Sequence, residues 1–146
     1  KADANKWPIG FQIENPKNVP VNDRSWPVTE NGFLNMLLRM KNEYGVEKIY
    51  ITENGTSFPD VVSMEGKVED GARKDYLHRH LAKLWEAIRQ GVPVQGYFQW
   101  SLYDNFEWAF GYSSRFGIVF VDFATQERTI KESGYWYSNV IAQNGI

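Results

Sequence analysis

Two short β-prone runs, each preceded and followed by a helical pattern, restrict what this chain can become more than any other feature. Before the first run, residues 48–52, the side chains Phe33, Met36, Leu37, Met40 and Tyr44 recur at helical spacing, with Thr29 as N-cap and Gly45 as stop. Before the second, residues 94–100, Leu77, Leu81, Leu84 and Ile88 form the apolar stripe of a helix that Asp70 can cap and that Gly91 and Pro93 end. Residues 118–122 then read as one arm of a hairpin turning near Thr125 and Gln126. Residues 131–142 read as a closing helix with Trp136, Val140 and Ile141 on its apolar side. This order is that of parallel βαβ units, because a parallel strand pair needs a crossover and a helix supplies it. Two parallel strands cannot close a sheet or cover both of its faces. The sequence therefore predicts an α/β chain that makes part of a larger sheet.

Four of the six prolines (Pro8, Pro16, Pro20, Pro27) fall in residues 1–29, which read as a long irregular segment ahead of the βα units of residues 30–146. Residues 1–146 are expected to belong to one domain. The hydrophobic share of 42% against 23% charged is a globular balance and excludes a disordered chain. A net charge of -2 gives no reason to expect nucleic acid or an anionic membrane as partner, and no apolar run reaches spanning length. Residues 1–10 lack the apolar core of a signal peptide. Without cysteine there is no disulfide framework and no thiolate metal site, which suits a cytoplasmic protein. His78 and His80 stand two apart on a helix and point in different directions, so no metal or other cofactor is expected. Asp60, Glu65, Glu69 and Asp70 lie in or beside a polar stretch with a turn at Glu65-Gly66-Lys67, and read as a solvated face.

The chemistry concentrates at the ends of the two strands. Glu53 directly follows the first run and precedes Asn54-Gly55, a pair that tolerates positive φ and could shape the turn aiming Glu53. In α/β barrels the catalytic groups sit at such C-terminal strand ends. Glu107 follows the second strand, between Phe106 and Trp108. Carboxylates accept hydrogen bonds from paired hydroxyls and indoles cover the apolar face of a sugar ring, so the pattern suits a saccharide. It is equally compatible with Glu53 capping a turn and Glu107 being solvated. The six Trp, eight Tyr and nine Phe fit a sugar site too, although packing accounts for most of them on composition alone.

Ile49-Tyr50-Ile51-Thr52-Glu53-Asn54-Gly55 resembles the nucleophile motif of glycoside hydrolase family 1. Gly96-Tyr97-Phe98-Gln99-Trp100-Ser101-Leu102-Tyr103-Asp104-Asn105-Phe106-Glu107-Trp108 resembles the motif on that family's eighth strand. Asp70 with Arg73, then Gly111-Tyr112, Arg115-Phe116-Gly117, Val121-Asp122, and Arg128 with Lys131 and Ser133 match in order and spacing. The resemblance implies the C-terminal part of a (β/α)8 TIM barrel, holding its last two strands with their helices. A whole barrel takes about 250 residues, so the chain is expected to be a fragment, completed by the N-terminal part of the barrel on the same or a separate chain. It also implies retaining hydrolysis of terminal β-D-glycosidic bonds, as in a β-glucosidase, through a covalent glycosyl-enzyme. Glu53 would be the nucleophile. Glu107 would bind sugar hydroxyls (O4 and O6 of the terminal residue), Trp108 would donate its indole N–H, and Trp100 would form the apolar floor. Phe116 resembles an aromatic wall, with a core position as the alternative. Asp104 and Asn105 would hold the loop.

Retaining hydrolysis needs a second carboxyl group about 5 Å from the nucleophile. The family carries it in an Asn-Glu-Pro motif, which is absent here; Glu14-Asn15-Pro16 has the letters in another order. The isolated chain is therefore expected to be inactive. The family's phosphosugar branch usually replaces the acid equivalent to Glu107; this chain keeps it, followed after Trp108 by Ala109-Phe110, which favours a neutral sugar such as a β-glucoside. The alternatives are a non-catalytic sugar-binding barrel and a transglycosylase using the same intermediate.

Overall fold

The computed structural model describes residues 17–146, so Glu14-Asn15-Pro16 and most of the N-terminal irregular segment lie outside the described residues. Three α-helices, α1 (Glu30–Asn42), α2 (Gly71–Arg89) and α3 (Glu132–Gln143), and four strands, β1 (Ile49–Asn54), β2 (Val94–Gln99), β3 (Val119–Val121) and β4 (Arg128–Ile130), follow in the order α1, β1, α2, β2, β3, β4, α3 among the described residues. Strands β1 and β2 pair in parallel with α2 as their crossover, as the sequence pattern predicts. Strands β3 and β4 form an antiparallel hairpin whose turn includes Gln126 at φ 64°.

Ile49 and Ile51 of β1 are buried against Leu34 and Leu37 of α1 and Leu84 and Ala87 of α2. This outer core fixes which face of each strand meets the helices, because strand side chains alternate. The opposite face is open. Tyr50 and Phe98 are each 58% exposed there, and Trp100 at its end is 37% exposed. Gly96 lies between them in register with Tyr50, and a Cβ at Gly96 would come within 3.0 Å of the Tyr50 ring. A second core joins Val28, Tyr76, Leu77 and Ile118, with Trp136 and Tyr137 of α3 packed on it.

Several helix details differ from the sequence expectation. Met36 and Tyr44 are exposed, and Leu34 joins Leu37 as the buried pair of α1. On α2, Ile88 is 40% exposed, while Tyr76, His80 and Ala87 join Leu77 and Leu84 inside. Neither Thr29 nor Asp70 caps its own helix with its side chain. The carboxylate of Asp70 instead accepts from the Ser133 backbone N–H at 2.8 Å and from the Ser133 hydroxyl, so it caps the start of α3. Asp60 and Asp70 are likewise no solvated face; both side chains are buried. The cause is Arg73, a fully buried guanidinium that must be neutralised where it lies. Glu65 and Glu69 are exposed as expected. His80 is buried and His78 exposed, no group of three or more metal-ligating side chains occurs among the described residues, and no helix there is long and apolar enough to cross a membrane.

Candidate active site

A cleft of about 560 Å³ opens at the C-terminal ends of β1 and β2. Glu53, Trp100, Glu107, Trp108 and Phe116 all line it, so the five residues singled out in the sequence meet in one place. Asn54, Gly55 and Trp26 complete the wall. Phe116 is both packed, at 5% exposed, and part of the cleft lining.

The strand end that carries Glu53 is irregular. Ile51 pairs with Tyr97 and Asn54 with Gln99, so three steps along β1 oppose two along β2. The extra residue is a β-bulge at Thr52 and Glu53, a device that re-aims a side chain without ending the pairing. Positive φ plays no part, since neither Asn54 nor Gly55 has it. Asn54 acts through hydrogen bonds. Its backbone oxygen accepts from Trp100 N at 3.0 Å, its Oδ1 accepts from the Tyr97 hydroxyl at 2.8 Å, and its Nδ2 donates to the Tyr76 hydroxyl at 3.2 Å. Burial pushes the Tyr76 phenol up to about 12 and the Tyr97 phenol up as well, which keeps both neutral. Gly55 is needed for space: a Cβ there would lie 1.7 Å from the Trp100 carbonyl oxygen. The Glu53 carboxylate is exposed in the cleft and accepts no hydrogen bond from the described residues.

The second wall is the loop after β2. The Trp100–Ser101 peptide is cis. Residues 101–104 then run parallel to 116–119, with Ser101 N bonded to Phe116 O, Ile118 N to Ser101 O, and Asp104 N to Val119 O at 3.0–3.2 Å. Between these segments the loop folds back on itself, Glu107 N donating to Gly111 O at 2.7 Å and Phe110 N to Glu107 O at 2.8 Å. Trp108 sits at φ 45° with 82% of its surface exposed. A bulky residue with positive φ costs on the order of 1–2 kcal/mol, and the loop holds Trp108 there in the lining of the cleft. Asp104 anchors this loop as expected: it accepts from Arg115 Nη1 at 2.6 Å, Lys131 Nζ at 2.8 Å and Gly117 N at 3.0 Å. Asn105 contributes by donating to Ser101 Oγ and Tyr103 O, both at 3.1 Å.

Trp26 was not legible as a site residue. It lies in the proline-rich segment, where no periodicity marks it. Asn22 Oδ1 folds this segment by accepting from Arg24 N at 2.9 Å and Trp26 N at 3.0 Å. Arg24 then donates to Ser113 and Ser114 and lies 4.6 Å from the Phe110 ring centroid, tying the segment to the second wall. Trp26 consequently packs beside Phe110 and Phe116, with ring centroids at 6.0 and 6.2 Å, and remains 48% exposed on the cleft.

The sequence matches the pattern of Glycosyl hydrolase family 1 over residues 4–146. It is 55% identical over 130 residues to the 1,4-β-D-glucan glucohydrolase of Thermotoga neapolitana, covering 89% of this chain and 29% of that protein. It is 44% identical over 133 residues to the 6-phospho-β-galactosidase of Clostridium acetobutylicum, covering 90% of this chain and 28% of the other. Among solved structures, the family 1 β-glucosidase from Thermotoga maritima superposes with a TM-score of 0.92 at 49% identity, over 97% of this chain and 32% of that one. The same enzyme in complex with isofagomine lactam gives a TM-score of 0.88 at 52% identity, over 90% of this chain and 30% of that one. The chain thus spans under a third of the length of the relatives it matches, and its fold is that of the last two βα units of a (β/α)8 barrel. With a family match along nearly its whole length and a superposition over 97% of its residues, the chain belongs to glycosyl hydrolase family 1.

Proposed function

We propose that this chain supplies the nucleophile and part of the sugar subsite of a retaining β-glycosidase acting on terminal β-linked glucose or a similar neutral sugar. The observation that carries the reading is Glu53, set on a bulge at a strand's C-terminal end and sharing one cleft with Trp100, Glu107 and Trp108. A carboxylate oxygen of Glu53 attacks the anomeric carbon as the bond to the leaving oxygen breaks, forming a covalent glycosyl-enzyme. Water then attacks the same carbon from the face the leaving group left, the bond from that carbon to the Glu53 oxygen breaks, and the water's proton passes to the carboxylate that had protonated the leaving group, giving net retention. The proton for the leaving group comes from a carboxyl group that none of the described cleft residues supplies. Glu107 and Trp108 bind hydroxyls, Trp100 lies under the ring, and Trp26 and Phe116 close the sides.

Two features support the remaining barrel strands as the partner, in the same or a separate chain. The inner face of β1 and β2 presents Tyr50 and Phe98 uncovered, and each large apolar side chain buried there adds about 1.5–3 kcal/mol. The Glu53 carboxylate also finds no hydrogen-bond donor among the described residues. The cysteine-free composition suits action in the cytoplasm. A sugar-binding barrel without chemistry is the weaker reading, because an exposed carboxylate aimed into the cleft serves no binding need that Glu107 does not meet. A transglycosylase uses the same intermediate and differs in the acceptor.

The test is turnover of an aryl β-glucoside by the chain alone and by the chain joined to the rest of its barrel. Activity is expected only in the joined protein, and Glu53→Gln should reduce it by at least about a thousandfold. Full activity in Glu53→Gln would remove the nucleophile from this chain.

A further inference from the structure

Buried and part-buried charges on the two loops that carry Glu53 and Glu107 and on the starts of α2 and α3 form one connected set. Among the described residues it contains three carboxylates, Asp60, Asp70 and Asp104, and three cations, Arg73, Arg115 and Lys131. Arg73 donates to both oxygens of Asp60, at 3.1 and 2.9 Å. The same guanidinium donates to the backbone oxygens of Thr56 at 3.3 Å and Arg115 at 2.7 Å. Thr56 follows the Glu53 turn by three residues and Arg115 precedes Phe116, so one side chain holds backbone from both walls of the cleft.

Lys131 makes the second link, and its placement is unusual. It is the N-cap residue of α3, where a cation opposes the helix dipole, and its side chain is 0% exposed. A buried ammonium is costly unless it is paired and hydrogen-bonded. Its Nζ donates to Asp60 Oδ2 at 2.5 Å and to Asp104 Oδ1 at 2.8 Å. Asp60 lies seven residues after Glu53 on the loop leaving β1, and Asp104 lies three residues before Glu107 on the loop leaving β2. No other described ammonium bridges the two loops.

We propose that Lys131 is a positioning residue that clasps the nucleophile loop to the sugar-binding loop, through Asp60 on one side and Asp104 on the other. Resting on the glycosidase reading above, the clasp sets where Glu107 and Trp108 stand relative to Glu53 without touching substrate. Its compact ammonium suits the task, because three donors on one atom can hold two carboxylates from different loops at a single point. Asp104 relays the constraint into the loop through Gly117 N and Arg115, and Gly117 has no room for a Cβ, which would lie 2.3 Å from Asp104 N.

The experiment compares Lys131→Met with wild type in the chain joined to the rest of its barrel, reading aryl β-glucoside kinetics below the unfolding range and hydrogen exchange. The expected result is a fall in kcat on the order of tenfold to hundredfold, as for a misplaced reacting group, with KM changed less. Amides of residues 53–60 and 101–117 should lose protection together. A lower thermal midpoint with unchanged kcat would make Lys131 merely structural and overturn the proposal. Should Lys131→Met fail to fold, Asp104→Asn keeps the side-chain shape while weakening the ammonium link, and the same kinetic and exchange outcomes apply. If the wild-type joined protein has no glycosidase activity, the functional reading falls, and the clasp is judged by exchange alone. Loss of protection in one loop only, or in neither, would then overturn it.

Discussion

The hydroxyl of Tyr97 on β2 donates to the side-chain oxygen of Asn54 on β1 at 2.8 Å, so the residue after the proposed nucleophile is held from the neighbouring strand. Tyr97→Phe keeps the ring and removes this bond, leaving Asn54 Oδ1 unpaired in a largely buried place. It should destabilise the protein by about 1–3 kcal/mol and lower kcat several-fold, as Glu53 loses its fixed neighbour. Denaturant unfolding and steady-state kinetics in the joined barrel measure the two effects.

Gly55 and Gly111 should both resist substitution, for different reasons. A Cβ at Gly55 collides with the Trp100 carbonyl oxygen at 1.7 Å, an atom of a fixed strand end that cannot yield. Gly55→Ala should therefore displace the nucleophile turn, cost about 2 kcal/mol or more, and abolish most turnover. Gly111 has no neighbour within 4 Å, but its φ is 57°. With ψ at −129° this is a region that favours glycine, so Gly111→Ala should cost about 1–3 kcal/mol and lower activity less than Gly55→Ala. Equal effects of the two on kcat would contradict this distinction.

Carboxylates in the same region should differ sharply in what they contribute. Asp104 is 0% exposed between Arg115 and Lys131, and Asp104→Ala leaves two cations short of a partner. The expected loss is about 3–5 kcal/mol. The Glu65 side chain is 75% exposed and, among the described residues, pairs only with Lys67 at the surface. Glu65→Ala should stay within about 0.5 kcal/mol of wild type. Thermal unfolding of the two variants side by side checks the contrast.

His80 gives the protein an acid-side pH dependence. Its ring stacks on Tyr76 with centroids 3.8 Å apart, and burial holds the imidazole below its ordinary value. The unfolded chain, with a pKa of about 6.5, takes up the proton first as pH falls. Stability should drop as pH decreases through that value, and level off once the folded-state pKa is passed. His80→Phe keeps an aromatic ring against Tyr76 and removes the titration. Thermal midpoints between about pH 8 and pH 5 should then show a shallower slope in the variant than in wild type.

Much of the molecule could be read from the sequence because the signals were local. The two strands and the crossover helix follow from apolar spacing, and Glu53, Trp100, Glu107, Trp108 and Phe116 follow from motifs on the strand ends and the loop beyond. What escaped depends on contacts between distant segments. Trp26 reaches the cleft only because Arg24 bonds to Ser113 and Ser114, some ninety positions away. Asp70 looks like the cap of its own helix, yet its partner is Ser133, and no spacing rule links positions 70 and 133. Asp60 read as solvated because a polar loop gives no hint that Arg73 and Lys131 are buried beneath it. The bulge at Glu53 needs the register of a second strand, so the glycine after it suggested a turn when its use is close approach.

Glu53 as nucleophile is tested most directly by treating the joined barrel with a 2-deoxy-2-fluoro β-glucoside bearing a good leaving group, then locating the label by peptide mass spectrometry. The expected result is time-dependent inactivation with one fluoroglycosyl group on Glu53. Inactivation with the label on another residue, or turnover of the unfluorinated substrate to a sugar of inverted anomeric configuration, would contradict it.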